Sequence, residues 1–260
     1  MVRLGAALLV CLALAAPAHA ADGDVLPDLA QRAPNGLEIQ RAGKQFRLGF
    51  NSTATNVGAG PLTLHGYRRS RKQETMRVDQ LVQRREGPSR LVRDVGLMSY
   101  AIHPDHQHWH FLGFERYQLR SADGLGLVGR DHKTGFCLGD RVRAPDARSI
   151  PNFSPVPLQG DTCGLGRPGL LGLFAGISPG WADKYAAQIE GQYIDVTDVP
   201  SGTYVLTHWV NSAGRIQETE YTNNGSSTRF SLRWRGGVNA LPKLRVLRRC
   251  PGSLVCPGRT

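Results

Sequence analysis

Gly202-Thr-Tyr-Val-Leu-Thr-His-Trp-Val210 is a run dominated by β-branched and aromatic residues, the composition of a strand, and its reading decides the fold class. Working outward, Gln192-Tyr-Ile-Asp-Val196 before it and Thr228-Arg-Phe-Ser-Leu-Arg-Trp234 after it have the same character, with Asn223-Asn-Gly225 marking the last turn. Further upstream, Phe114-Glu-Arg-Tyr-Gln-Leu119 and Thr134-Gly-Phe-Cys-Leu138 read as strands, with Ser121-Ala-Asp-Gly124 as a turn after the first. Phe46, Leu48, Phe50, Ser52 and Ala54 alternate against polar partners, and Asn56-Val-Gly-Ala-Gly-Pro61 turns that strand into Leu62-Thr-Leu-His65. Residues 67–95 are Arg-rich with short apolar anchors and read only as weak strands and loops. Residues 139–180 hold six prolines and eight glycines and show no sustained period, which predicts a long irregular segment. Trp181-Ala-Asp-Lys-Tyr-Ala-Ala-Gln188 predicts two turns of helix. Strand signals outnumber helix signals, so the expectation is a mainly β chain: one β-sandwich-like domain with long irregular loops.

The stretch that carries chemistry is His103-Pro-Asp-His-Gln-His-Trp-His110, four of the chain's eight histidines. His106, His108 and His110 fall at every second residue, so a strand there points three imidazoles to one face. Their outer Cα atoms would stand about 13 Å apart at a rise of ~3.3 Å per residue. Closing on one ion therefore requires the outer rings to lean inward or the strand to bend. All-nitrogen ligation suits copper or zinc over magnesium or calcium, and zinc is the default rival to copper. The plainer reading is an exposed His-rich strand.

The first twenty residues read as a secretory signal, with Arg3 at the positive end, an apolar run from Leu4 to Ala16, and Ala18-His19-Ala20 as the cleavage site. The apolar run is too short to span a bilayer. The reading divides the chain into a signal (1–20), a flexible lead-in (21–35), a catalytic β domain (36–235) and a basic tail (236–260), with the product secreted, periplasmic or extracellular. Cys11 leaves with the signal. Cys137, Cys163, Cys250 and Cys256 remain, an even number in an exported chain. Of three possible pairings, closeness in sequence favours Cys137–Cys163 and Cys250–Cys256, the second closing a loop in the tail. The formal charge is +11, and loss of Arg3 makes it +10. Such a surface favours polyanions, but no nucleic-acid-binding signature accompanies it, so neither nucleic acid nor a membrane span is expected.

Four ordered pieces bear a resemblance. The histidine run is followed by Asp131-His-Lys-Thr-Gly-Phe-Cys-Leu138, then by Ser178-Pro-Gly-Trp-Ala-Asp-Lys-Tyr185 leading into Gln192-Tyr-Ile-Asp-Val-Thr-Asp198, and last by Glu218-Thr-Glu-Tyr-Thr-Asn-Asn224. In this order they resemble the copper-dependent lysyl oxidase family over about residues 95–234. The resemblance implies that His106, His108 and His110 hold Cu2+, and that Lys133 and Tyr185 combine into the cofactor lysine tyrosylquinone. His103 matches a further family histidine, and whether it ligates is left open. The chain departs from the animal enzymes in having fewer cysteines, with Asp105 before His106 and Trp181 where those enzymes have a cysteine, so their disulfide connectivity does not transfer.

The chemistry suits these residue types. A phenol is the side chain that oxidises to a quinone, and a lysine amine can add to that ring, whereas arginine stays protonated. Only five of the 32 basic residues are lysines, so a lysine at 133 is informative. The plainer readings are an exposed surface lysine and a half-buried helix aromatic. The implied activity is a secreted amine oxidase that uses dioxygen to convert primary amines, including lysine side chains of proteins, to aldehydes with release of hydrogen peroxide and ammonia. Asp131, His132 and Asp183 are the candidates for its base. The alternative from another class is an exported copper-binding protein without turnover, and a third is an adhesion module using the basic face.

Overall fold

The strand Gln45–Asn56 is the spine of the protein, in a computed structural model that describes residues 21–103, 106–144, 158, 162–189, 191–236 and 240–258. Alternation was expected along it, but burial is nearly continuous from Phe46 to Asn56, because four other strands pair with its two edges. Small residues at Ser52, Thr53, Ala54 and Thr55 let those neighbours approach on both faces. The resulting sheet also holds Trp181–Tyr185, Val142–Arg143, Tyr193–Asp195, Leu29–Gln31 and Asn35–Ala42.

A second sheet runs in the order Gly135–Phe136, Trp109–Leu112, Arg90–Tyr100, Thr75–Arg84, Leu62–Tyr67, Gly172–Ile177, with Asp24–Val25 beside Thr75–Arg84. A third runs Leu127–Arg130, Glu115–Ser121, Gly202–Val210, Gly225–Arg233, Lys243–Cys250. All pairings are antiparallel, and the described residues contain no helix. The chain is mainly β, as expected. One apolar cluster joins the three sheets, drawing Leu48 and Phe50 from the first, Leu64, Met76, Met98 and Phe111 from the second, and Tyr117, Leu119, Leu206 and Phe230 from the third. Each such fully buried side chain contributes about 1.5–3 kcal/mol.

Four expectations need correction. Trp181–Tyr185 is a strand and not the start of a helix, paired residue for residue with Gln45–Asn56 from Ala182 opposite Thr55 to Tyr185 opposite Ser52. The helix preference of its Ala and Lys residues is worth only tenths of a kcal/mol each, less than a buried ladder of hydrogen bonds returns. Residues 67–95 contain most of a long hairpin, Thr75–Arg84 with Arg90–Tyr100, whose Arg-rich outer face hides the apolar positions Met76, Val78, Val82, Val95 and Met98. The tail is a strand, Lys243–Cys250, along the edge of the third sheet, where alternating cations protect an exposed edge. The segment expected as a flexible lead-in carries the strands Asp24–Val25 and Leu29–Gln31, with Leu29 wholly buried.

Cys137 is bonded to Cys163 and Cys250 to Cys256, as closeness in sequence suggested. Residues 1–20, expected as a signal, and Pro104, Asp105 and most of 145–161 lie outside the described residues. No helix among the described residues is long and apolar enough to cross a membrane.

Candidate metal centre and adjoining amine–phenol pair

The three histidines do not share one regular strand. The strand begins only at Trp109; before it the chain folds back on itself, with the His106 amide donating to the His103 carbonyl at 2.9 Å and the Ala101 amide to the His108 carbonyl at 2.9 Å. This bend resolves the spacing problem of an extended run. Ring centroids of His106, His108 and His110 lie 4.4, 5.0 and 4.7 Å apart, and one nitrogen from each falls within 4.8 Å of the others. Trp109, between two of them, is buried on the opposite side under the Arg68 guanidinium and donates its indole N–H to the Arg167 carbonyl, which anchors the run.

These residues fit a metal ion. Nε2 of His108 and of His110 are buried with no hydrogen-bond partner among the described residues, an arrangement that leaves donors unsatisfied unless something binds them. Burial holds both rings neutral, lowering His108 to about 4 and His110 to about 3, with the charges of neighbouring histidines and of Lys133 adding to the effect. Neutral imidazole is the form that ligates. Two donors each ~2 Å from one ion lie at most ~4 Å apart, so a slight inward rotation of the rings completes the set.

Lys133 and Tyr185 meet beside this cluster. Lys133 follows the Leu127–Arg130 strand in a loop pinned by Asp131, whose carboxylate accepts the Tyr117 amide at 3.0 Å. Gly135 lets the same loop close on the histidine strand, since a Cβ there would stand 2.6 Å from the Cβ of His110. The Lys133 ammonium lies 4.9 Å from the centre of the Tyr185 ring and 5.4 Å from that of Phe136. Both Lys133 and Tyr185 are only 6% exposed, unlike the surface lysine and half-buried aromatic of the plainer readings. The Tyr185 hydroxyl donates to the Cys137 carbonyl at 2.9 Å, and burial together with the Asp183 and Glu115 carboxylates raises it well above the usual phenol value. A hollow of about 680 Å³ is lined by His103, His106, His108, Arg141, Lys184 and Tyr185, so it borders both the histidines and the phenol.

Residues 171–238 match the family model described as lysyl oxidase. The protein-lysine 6-oxidase of Homo sapiens is 33% identical over 142 residues, which cover 53% of this chain and 29% of that one. The protein-lysine 6-oxidase of Sus scrofa is 32% identical over the same length, 48% of its own chain, and lysyl oxidase homolog 1 of Homo sapiens is 34% identical over 126 residues, 18% of its chain. Over these residues the chain is similar to the lysyl oxidases. It spans less than half the length of these relatives. The family match includes Tyr185 and leaves the histidines and Lys133 outside it.

Of the three base candidates, Asp131 is held by the Tyr117 backbone, and His132 stacks on Tyr193 at 4.8 Å. Asp183 is fully buried, its carboxylate 3.6 Å from the Arg141 guanidinium, and burial raises it well above the usual carboxylate range despite that cation. Sequence reading passed over a third carboxyl, Glu115. It is 3% exposed and accepts hydrogen bonds from the Tyr117 hydroxyl at 2.6 Å and from the Ser52 hydroxyl. The signal was present: Glu115 stands in phase with Tyr117 and Leu119 on the inward face of its strand, where a carboxyl is costly without a purpose.

Proposed function

We propose that this protein is an exported, copper-dependent amine oxidase of the lysyl oxidase type. It would convert a primary amine, dioxygen and water to an aldehyde, ammonia and hydrogen peroxide. The observation that carries the reading is the buried Lys133 amine 4.9 Å from the Tyr185 ring, beside a cluster of three imidazoles.

His106, His108 and His110 would hold the copper ion, which when bound supplies one-electron exchange between a phenol and dioxygen. Tyr185 provides the ring and Lys133 the amine of the lysine tyrosylquinone. The Cys137 carbonyl orients the phenol, and Phe136, edge-on to Tyr185 at 5.4 Å, excludes water from the ring's flank. The buried Lys133 amine must lose a proton before it can add to carbon. The substrate amine would enter through the hollow beside His103 and Arg141. Relatives named protein-lysine 6-oxidase support lysine side chains as substrates. The two disulfides suit an oxidising compartment, reached through the signal at 1–20.

The test loads the protein with copper in air and adds a primary amine. Peroxide release and a visible quinone band are expected, and both disappear in Lys133→Arg and Tyr185→Phe. Peroxide output that survives Lys133→Arg unchanged removes the cofactor assignment. Copper binding with neither peroxide nor a Lys133–Tyr185 bond by intact mass would make the protein a copper-binding module.

A further inference from the structure

Glu115 sits behind the amine–phenol pair. Its Oε2 is occupied by the Ser52 and Tyr117 hydroxyls, while Oε1 is buried with no hydrogen-bond partner among the described residues. Both neighbours tie it to the pair. Ser52 stands directly across the ladder from Tyr185, and Tyr117 is bonded through its backbone to Asp131, two residues before Lys133. The Lys133 charge acts on the Glu115 carboxyl, and the Glu115 charge acts in turn on Tyr185 and Asp183. The other acids nearby have different partners: Asp131 accepts the Tyr117 amide, and Asp183 faces Arg141.

We propose that Glu115 is the proton acceptor for the Lys133 ammonium during formation of the cofactor. An N–H bond of Lys133 breaks, an O–H bond forms on Glu115, and the electron pair stays on Nζ, so an ammonium and a carboxylate become a neutral amine and a neutral acid. One proton moves and no electrons are exchanged. The inference rests on the amine–phenol reading of the site and adds a residue to it.

The energetics agree with the geometry. Burial raises Glu115 to about 7, against the pull of the two hydroxyls and of Lys133, so its proton affinity is far closer to that of an amine than a solvated carboxylate's would be. The ionisable groups around it are Lys133 and Asp131 from the loop, Asp183 and Tyr185 from the opposite sheet, and Tyr117 on its own strand. His208, packed 4.6 Å from Tyr117, is neutral.

The test follows cofactor formation instead of turnover. Metal-free protein is loaded with copper in aerated buffers from about pH 6 to about pH 9, and the Lys133–Tyr185 bond is timed by peptide mass, since trypsin no longer cuts after a bonded lysine. In the native protein the rate should rise through an inflection near neutrality. Glu115→Gln should slow the bond by at least about tenfold and abolish that inflection, and Glu115→Asp should restore part of the rate. Tyr117→Phe keeps the carboxyl but removes one donor from its charged form, so its inflection should move to higher pH. A native rate and profile in Glu115→Gln overturns the inference; an unmoved inflection in Tyr117→Phe does so even if Glu115→Gln fails to fold. If the native protein forms no bond at any pH, the amine–phenol reading itself is wrong, a result distinct from either.

Discussion

The carbonyl of Cys137 accepts the Tyr185 hydroxyl at 2.9 Å, and the disulfide partner of Cys137, Cys163, accepts the backbone amide of Trp109 through its own carbonyl at 2.9 Å. One covalent bridge thus links the phenol to the strand that carries His110. The phenol and the imidazoles keep their relative positions through that bridge.

Cys163→Ser should therefore lower stability by about 2–4 kcal/mol, the usual range for losing a bridge, and also slow formation of the Lys133–Tyr185 bond. Urea denaturation and peptide mass give the two readouts. Breaking Cys250–Cys256, in the distant edge strand, should affect only the first.

His108→Ala removes one of three converging nitrogens and should weaken copper binding by well over about tenfold in a metal titration. Lys133→Arg should bind copper as the native protein does, because that residue lies outside the imidazole set. Equal copper affinity in His108→Ala and native protein would move the metal site elsewhere.

His208 is wholly buried, and burial lowers it to about 3. Its folded value lies below its unfolded one of about 6.5, so the unfolded chain binds the proton more readily. Stability is full above about pH 6.5 and falls as pH drops toward about 3, by a total on the order of a few kcal/mol. Comparing urea midpoints across that range, His208→Gln should show a shallower acid slope than the native protein. Parallel slopes would mean that the ring is solvated in the native state.

The hollow beside Tyr185 presents Arg141 and Lys184 at its wall, and the chain carries a formal charge of +11. A polycationic substrate is repelled by such a surface at low salt. On such a substrate kcat/KM should rise as salt is added, while a small amine with an uncharged tail should respond much less. A fall with salt for the polycation would reveal an acidic docking surface.

Much of the strand content was legible because alternation and β-branched residues report locally which positions are buried. Gly202–Val210, Gln45–Asn56 and Glu115–Ser121 follow from that signal. It failed where the signal depends on neighbours. In the Thr75–Arg84 and Arg90–Tyr100 hairpin, exposed arginines dilute the apolar pattern, and in Trp181–Tyr185 good helix formers are held extended by a partner strand far away in the chain.

The amino-acid sequence by itself determined the strand-rich class and the local clustering of histidines and favoured the cysteine pairs, all properties of residues close together along the chain. Only the tertiary structure decided that His106 bends back to meet His110, that Lys133 reaches the Tyr185 ring, and that Ser52 and Tyr117 hold Glu115 behind them. A local pattern says which face of a segment is buried. Which segment lies against that face is set by strand order and register, and those emerge only when the sheets pack around a common core.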